Sequence, residues 1–146
     1  MSNNITLSSF LLRDREWLSK LLIEKDVRRF LPHLTTDVDK FICDMKIAES
    51  NGLGKFWIIR LDNIGIGFIS IYDLIENPFL FYAMSPEYRN KGYMHNAIKL
   101  IENNYSLTLS TVVDNNNEAS MKILKDVNIN ISQNNIKISN YDKYFY

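Results

Sequence analysis

The order of hydrophobic periodicities predicts an α+β fold in which helices flank a central, mainly antiparallel sheet. Two changes of pattern carry this. Helical spacing of apolar residues dominates positions 14–52, and β-rich runs then replace it over 55–84. Beyond that point helix-like and strand-like segments alternate. A chain of 146 residues can bury a sizeable core, and neither a repeat nor a low-complexity linker divides it, so 1–146 reads as a single domain.

The elements follow in order. Ile5 to Leu12 is the first strand. Asp14 stands where it would cap a helix that buries Trp17, Leu18, Leu21 and Leu22 on one face. Asp26 to Leu31 forms a short second helix stopped by Pro32. Thr36 with Asp39 resembles a capping box, opening a helix that turns Val38, Phe41, Ile42, Met45 and Ala48 inward and ends near Gly52. Lys55 to Leu61 and Ile64 to Tyr72 are strands joined by a hairpin turn at Asp62-Asn63. Phe79 to Met84 is the third strand of this series, with the turn-former pair Ser85-Pro86 behind it. A helix follows Gly92 to about Asn103, carrying Ala97, Ile98, Leu100 and Ile101 at helical spacing. Leu107 to Val113 is a strand, and Glu118 to Asp126 a short helix with Ala119, Ile123 and Leu124 inward. Asn128 to Ser132 and Ile136 to Tyr146 are two closing strands.

Composition excludes several classes. Hydrophobic residues make up 46% and charged residues 23%, as in ordinary globular proteins. Seventeen basic and seventeen acidic side chains cancel, so no long-range field steers the chain to nucleic acid or an anionic membrane. A single cysteine, Cys43, cannot form an internal disulfide or by itself a cysteine zinc site, and its helical setting predicts a buried, inert thiol. No apolar run approaches spanning length and the first residues lack a signal peptide's pattern, which predicts a cytoplasmic location. No metal site is expected.

Chemistry concentrates at Arg89-Asn90-Lys91-Gly92-Tyr93-Met94. A strand that breaks into a loop of Arg, Lys and Gly and then enters a helix exposes unpaired backbone N–H groups. Those donors and the helix dipole favour an anion, and glycine permits close approach. The same residues also fit an ordinary solvated turn.

Three ordered patterns add a resemblance. They are Leu11-Leu12-Arg13 with the run from Asp26 to Pro32, Ile66-Gly67-Phe68-Ile69 with the run from Phe81 to Tyr93, and the run from Asp114 to Ser120 with Leu124-Lys125. Together the chain resembles the GCN5-related N-acetyltransferase (GNAT) superfamily, and within it the ribosomal-protein N-terminal acetyltransferase branch. The resemblance implies acetyl-coenzyme A as acyl donor and a primary amine as acceptor, either a peptide N-terminus or a small amine. Arg89, Asn90, Lys91, Gly92, Tyr93 and Met94 would wrap the pyrophosphate, with Arg89 and Lys91 adding charge. Met84 would offer backbone groups to the pantetheine arm at a splay between strands. Asn117 and Ser120 would contact the cofactor, although Asn117 also has the chemistry of a helix cap and Ser120 that of a small packing residue.

Departures from the family pattern define the open questions. Met94 stands where Gly or Ala is usual. His95, at a position often holding a hydroxyl residue, either donates to a phosphate or lies exposed on the helix. Leu124 occupies the place of a Tyr that protonates the departing thiolate in many relatives, and reads as core. The acid role then falls to Tyr82, to solvent, or is unfilled. Asp73 and Glu76 are the candidate bases, acting through water, and also fit ordinary loop charges. His33 lines either an acceptor cleft or a turn. Two alternatives remain: a coenzyme A-binding protein with little activity, and an interaction module using Tyr141, Tyr144, Phe145 and Tyr146. A homodimer is compatible with either.

Overall fold

The computed structural model describes residues 4–72, 79–104, 110–112, 117–124 and 130–132. Six strands form one sheet in sequential order: β1 (Ile5–Ser8), β2 (Gly54–Leu61), β3 (Ile64–Tyr72), β4 (Phe79–Met84), β5 (Ser110–Val112) and β6 (Asn130–Ser132). Pairing is antiparallel from β1 to β4, and parallel for β4 with β5 and β5 with β6. Among the described residues five α-helices accompany it: α1 (Arg15–Leu22), α2 (Lys25–Phe30), α3 (Val38–Ser50), α4 (Tyr93–Asn104) and α5 (Glu118–Ile123). This is the α+β arrangement the sequence predicts. The last predicted strand, 136–146, lies outside the described residues, as do the aromatic side chains of the proposed interaction tail.

Strand alternation sorts the core into two layers. One face carries Phe56, Ile58, Phe68, Phe81 and Ala83 against α1, α2 and α3. Phe41 of α3 sits at its centre, with ring centroids 5.6 Å from Phe56 and 5.1 Å from Phe68. The opposite face carries Ile59, Ile69, Ile71, Leu80 and Met84 against Met94, Ala97, Ile98 and Ile101 of α4. β2 and β3 shift register between Ile59 and Arg60, where Ile59 opposes Gly67 and Arg60 opposes Gly65, leaving Ile66 as a bulge residue. Asp62 and Asn63 take φ values of 49° and 70°, the left-handed pair a tight hairpin needs.

Local chemistry departs from the sequence reading at five points. β1 stops at Ser8 instead of Leu12, because the chain turns there toward α1. Asp37, not Thr36, caps α3, its Oδ1 accepting from the amides of Asp39 and Lys40. Thr35 supports that cap by accepting from the Asp37 amide. Cys43 is exposed, since the buried stripe of α3 runs through Phe41, Ile42 and Met45 and passes it by. Ala119 is exposed too; Ile123 and Leu124 hold the inner side of α5.

The fifth correction is the most consequential. Asp14 makes no cap bond to α1. Its carboxylate is 1% exposed and faces Arg60 of β2, itself 3% exposed. Arg60 donates Nη1 to Oδ1 at 2.9 Å and Nη2 to Oδ2 at 2.7 Å, a two-pronged pair. The Leu11 amide and the Trp17 indole complete the carboxylate, while Arg60 also donates to Ser8 Oγ and the Ser9 carbonyl. Burial alone would raise the Asp14 pKa. The Arg60 guanidinium and the Leu11 and Trp17 donors outweigh it and hold the carboxyl below its ordinary value.

Removing one member of a buried pair leaves the other charge uncompensated. Asp14→Asn is therefore expected to lower stability by about 3–5 kcal/mol at neutral pH, read by urea unfolding. With the folded pKa below the unfolded value of about 3.9, the ionised carboxylate's contribution is fully present above that value. It is lost as pH falls through the folded pKa, so wild type and variant should converge in strong acid. Equal stability at neutral pH would contradict this role.

Candidate active site

The site forms where β4 ends. Met84, its last residue, opposes Gly67 of β3. On the other side, the only β4–β5 partners among the described residues are Phe79 and Ser110, at the starts of both strands. The chain continues through the short 3-10 turn Pro86–Tyr88 into the loop before α4.

That loop is built to present backbone donors. Asn90 has φ 63° and Gly92 has φ 82°, so left-handed residues flank Lys91 and redirect successive amides. The Asn96 amide donates to the Gly92 carbonyl at 3.1 Å, closing the first turn of α4. The amides of Tyr93, Met94 and His95 precede that bond and have no intrahelical acceptor. The helix dipole adds positive potential at the same end. Lys91 is exposed and makes no ion pair among the described residues. The Met94 side chain is 3% exposed and turned into the core, so only its backbone faces the loop.

Arg89 departs from the expected role. Its Nε donates to the Met84 carbonyl at 2.8 Å, and Nη1 pairs with Glu24 at 2.6 Å and with Asp26 at 3.2 Å. The guanidinium is thus committed to two carboxylates at the start of α2 instead of being offered to an anion. It also engages the Met84 carbonyl, one of the backbone groups expected to meet a pantetheine arm.

The second half of the site lies on α5, over the α4 face of the sheet. Asn117 caps this helix, its Oδ1 accepting from the Ser120 amide at 3.1 Å, so the cap reading holds. Ser120 Oγ lies 2.9 Å from the Tyr82 hydroxyl of β4, with either able to donate. Burial pushes the Tyr82 hydroxyl up to about 12, the Ser120 bond opposing the shift only in part. His95 is half-buried, with Nδ1 3.0 Å from the Ile123 carbonyl, so it joins α4 to α5 and is not a free surface imidazole. Leu124 is 1% exposed and packs in the core, as expected.

Tyr82, Ser120 and Asn117 thus come together, while the loop 89–95 stands apart from them at the head of α4. Asp73 and Glu76, the candidate bases, lie outside the described residues. His33 is half-buried with its ring edge-on to Phe81 at 6.2 Å, on the opposite layer from Tyr82. Among the described residues no group of three or more His, Cys, Asp or Glu is placed to hold a metal ion. No helix among them is long and apolar enough to cross a membrane. The sequence reading missed the Arg89–Glu24–Asp26 cluster and the Tyr82–Ser120 bond. Two acids flanking Lys25 were a visible sign of a charged helix start, but nothing in spacing links residues more than sixty positions apart.

A strand that leads through a left-handed basic loop onto a helix start, beside a capped second helix, is an arrangement suited to an anionic cofactor. Residues 4–129 match the acetyltransferase (GNAT) domain family, and the chain belongs to that family of acetyl-coenzyme A-dependent acetyltransferases. Among solved structures it is similar to Mycobacterium smegmatis RimJ in complex with CoA-disulfide, at 15% identity and TM-score 0.69, over 82% of this chain and 67% of that one. It is also similar to a Salmonella typhimurium acetyltransferase that modifies the N-terminal serine of ribosomal protein L7/L12, at 14% identity and TM-score 0.69, over 85% and 79%. A third is spermidine N-acetyltransferase from Vibrio cholerae in complex with CoA and spermine, at 10% identity and TM-score 0.67, over 84% and 78%. At such identities the likeness is one of fold. Among curated protein sequences no match is found.

Gly92 offers a direct test of the loop. A Cβ built there meets nothing within 4 Å, so the cost of adding a side chain lies chiefly in the left-handed φ. Gly92→Val should remain folded, with a loss of roughly 1–2 kcal/mol or somewhat more for a β-branched residue. It should lose coenzyme A binding as the loop relaxes, measured by calorimetric titration beside a thermal melt. Unchanged affinity in a folded variant would remove this loop from the site.

Proposed function

We propose that this chain transfers an acetyl group from acetyl-coenzyme A to a primary amine of low pKa, by direct attack of the neutral amine on the thioester carbonyl. The observation that carries this reading is the loop before α4, where Asn90 and Gly92 are left-handed on either side of Lys91 and the first helix amides precede the Asn96–Gly92 bond. The whole of 1–146 acts as one domain in this reading. Asn117, whose cap bond uses Oδ1, keeps its Nδ2 hydrogens for a carbonyl of the pantetheine arm, and Ser120 faces the same region. Asp73 or Glu76 would take the amine proton through water. Calorimetric titration with coenzyme A and a screen of amine acceptors test the reading; no saturable binding would refute it.

The acceptor class follows from proton chemistry. A lysine ammonium has a pKa of about 10.4 and a peptide N-terminus about 7.8, so a carboxylate acting through water suits the latter far better. Ribosomal-protein N-terminal acetylation by a similarly folded protein is compatible with this, as is an amino sugar or another small amine. Steady-state rates on a peptide with a free N-terminus should exceed those on a blocked peptide carrying only lysine at neutral pH. The reverse order would exclude the preference.

Tyr82 is a poor acid at neutral pH, because its hydroxyl is pushed up to about 12 and is already bonded to Ser120. Solvent therefore protonates the departing thiolate in this reading. Tyr82→Phe should change turnover by less than about tenfold and leave cofactor affinity near wild type, against the 10²–10⁴-fold loss typical of an acid–base group. A loss of about a hundredfold would assign the proton to Tyr82. The second reading, a coenzyme A-binding protein with little activity, is favoured by one observation, the buried Leu124 where a proton donor is usual. Single-turnover assays with mixed amines separate the two.

A further inference from the structure

The geometry points to Arg89 as a positioning residue that sets the shape of the coenzyme A loop from outside it, by bracing the end of β4 against the capped start of α2. This rests on the cofactor reading of the 90–95 loop. Three contacts carry it. Arg89 Nε holds the Met84 carbonyl at 2.8 Å, at the end of β4 and across the 3-10 turn that leads to the loop. Nη1 holds Glu24 Oε1 at 2.6 Å and Asp26 Oδ2 at 3.2 Å. Glu24 divides its carboxylate: Oε1 takes Arg89, while Oε2 accepts from the amides of Asp26 and Val27 as the N-cap of α2.

The brace is partly desolvated, with side-chain exposures of 26% for Arg89 and 15% for Glu24, so water competes with it less than at an open surface. Asp26, at 42%, is the weaker arm. Arg89 immediately precedes Asn90, the first left-handed residue of the loop, so its side chain fixes where the turn starts. A planar guanidinium can hold Met84 on one edge and the acids on another, which a lysine ammonium on a flexible stem does less well.

The brace and a direct phosphate contact by Arg89 make opposite predictions for Glu24→Gln. The Gln amide oxygen can still accept from the Asp26 and Val27 amides, so α2 keeps its cap while the ion pair is lost. If Arg89 served the phosphates directly, releasing it would tighten coenzyme A binding or leave it unchanged. As a brace, its release should raise the coenzyme A dissociation constant about tenfold, the scale of a lost charge-assisted hydrogen bond. Asp26→Asn, at the weaker arm, should give a smaller rise and serves as the second variant should Glu24→Gln melt early. Arg89→Ala should weaken binding as well, and adding Glu24→Gln to it should cost little more, since the two act as one unit. Titration with coenzyme A on the full chain, with a thermal melt alongside, reads all four. Unchanged or tighter binding in folded Glu24→Gln, or additive losses in the double variant, would overturn the brace. Wild-type protein that does not bind coenzyme A would overturn the cofactor reading and the brace with it, and that result is distinct from an unshifted variant.

Discussion

The buried pair of Arg60 and Asp14 constrains everything built around it. Two charges taken out of water cost several kcal/mol each, and the cost is met only if every remaining donor and acceptor is also satisfied. Ser8, Ser9, Leu11 and Trp17 supply those partners. The requirement therefore fixes the end of β1, the turn after it and the first turn of α1 against the middle of β2. With α1 so placed, Trp17 lies over β3 at Gly65, where a Cβ would come within 2.6 Å of the indole. Only glycine fits there. The helical layer of α1 to α3 is thus set by polar geometry at one end and by aromatic packing along its length.

That placement reaches the site. α1 ends at Leu22 and leads within three residues into α2, whose capping Glu24 meets Arg89. One layer of helices is linked to the loop that opens α4 in the other layer, through a single guanidinium at the end of β4. The sheet supplies rigid strands, but the loop's own backbone has two left-handed residues, and nothing packs where a Cβ at Gly92 would stand. Charged contacts at its border compensate for what packing does not provide.

Elements with a strong period were legible in the sequence. The β2–β3 hairpin at Asp62-Asn63, the apolar stripe of α3 and the start of α4 after Gly92 are local patterns, and each stands where its residues predict. The left-handed loop before α4 was legible for the same reason: glycine and asparagine between a strand and a helix carry their own physics. Asp14, Arg60, Glu24 and Arg89 were misread or passed over because their meaning is non-local. An acid before a helix looks like a cap whether or not a guanidinium waits 46 residues on, and Arg60 in an apolar strand was the signal that it does. Cys43 and Ala119 misled because a helix on a sheet buries one narrow face, and one residue of phase decides the side.

The proton ledger of the reaction explains why a leucine at position 124 is tolerable in the proposed chemistry. Transfer requires one proton to leave the amine and one to reach the departing sulfur. A thiol is far more acidic than an alcohol, with the cysteine side chain at a pKa of about 8.5, so a thiolate is a competent leaving group that solvent can protonate afterwards. An ammonium, by contrast, cannot attack until it has lost its proton. The heavier catalytic demand therefore falls on the acceptor side, where a base and a low-pKa amine can share it. On this reading Leu124 gives up little, and its packing beneath α4 and α5 helps to seat the helix that sets Ser120 against Tyr82 of β4. The Tyr82–Ser120 bond then serves the same end, fixing α5 on the strand that carries Met84. Catalysis in this arrangement rests on positioning more than on proton donation. Positioning depends on rigid borders around the loop, which returns the problem to Arg89 and to the layer that Arg60 and Asp14 hold in place.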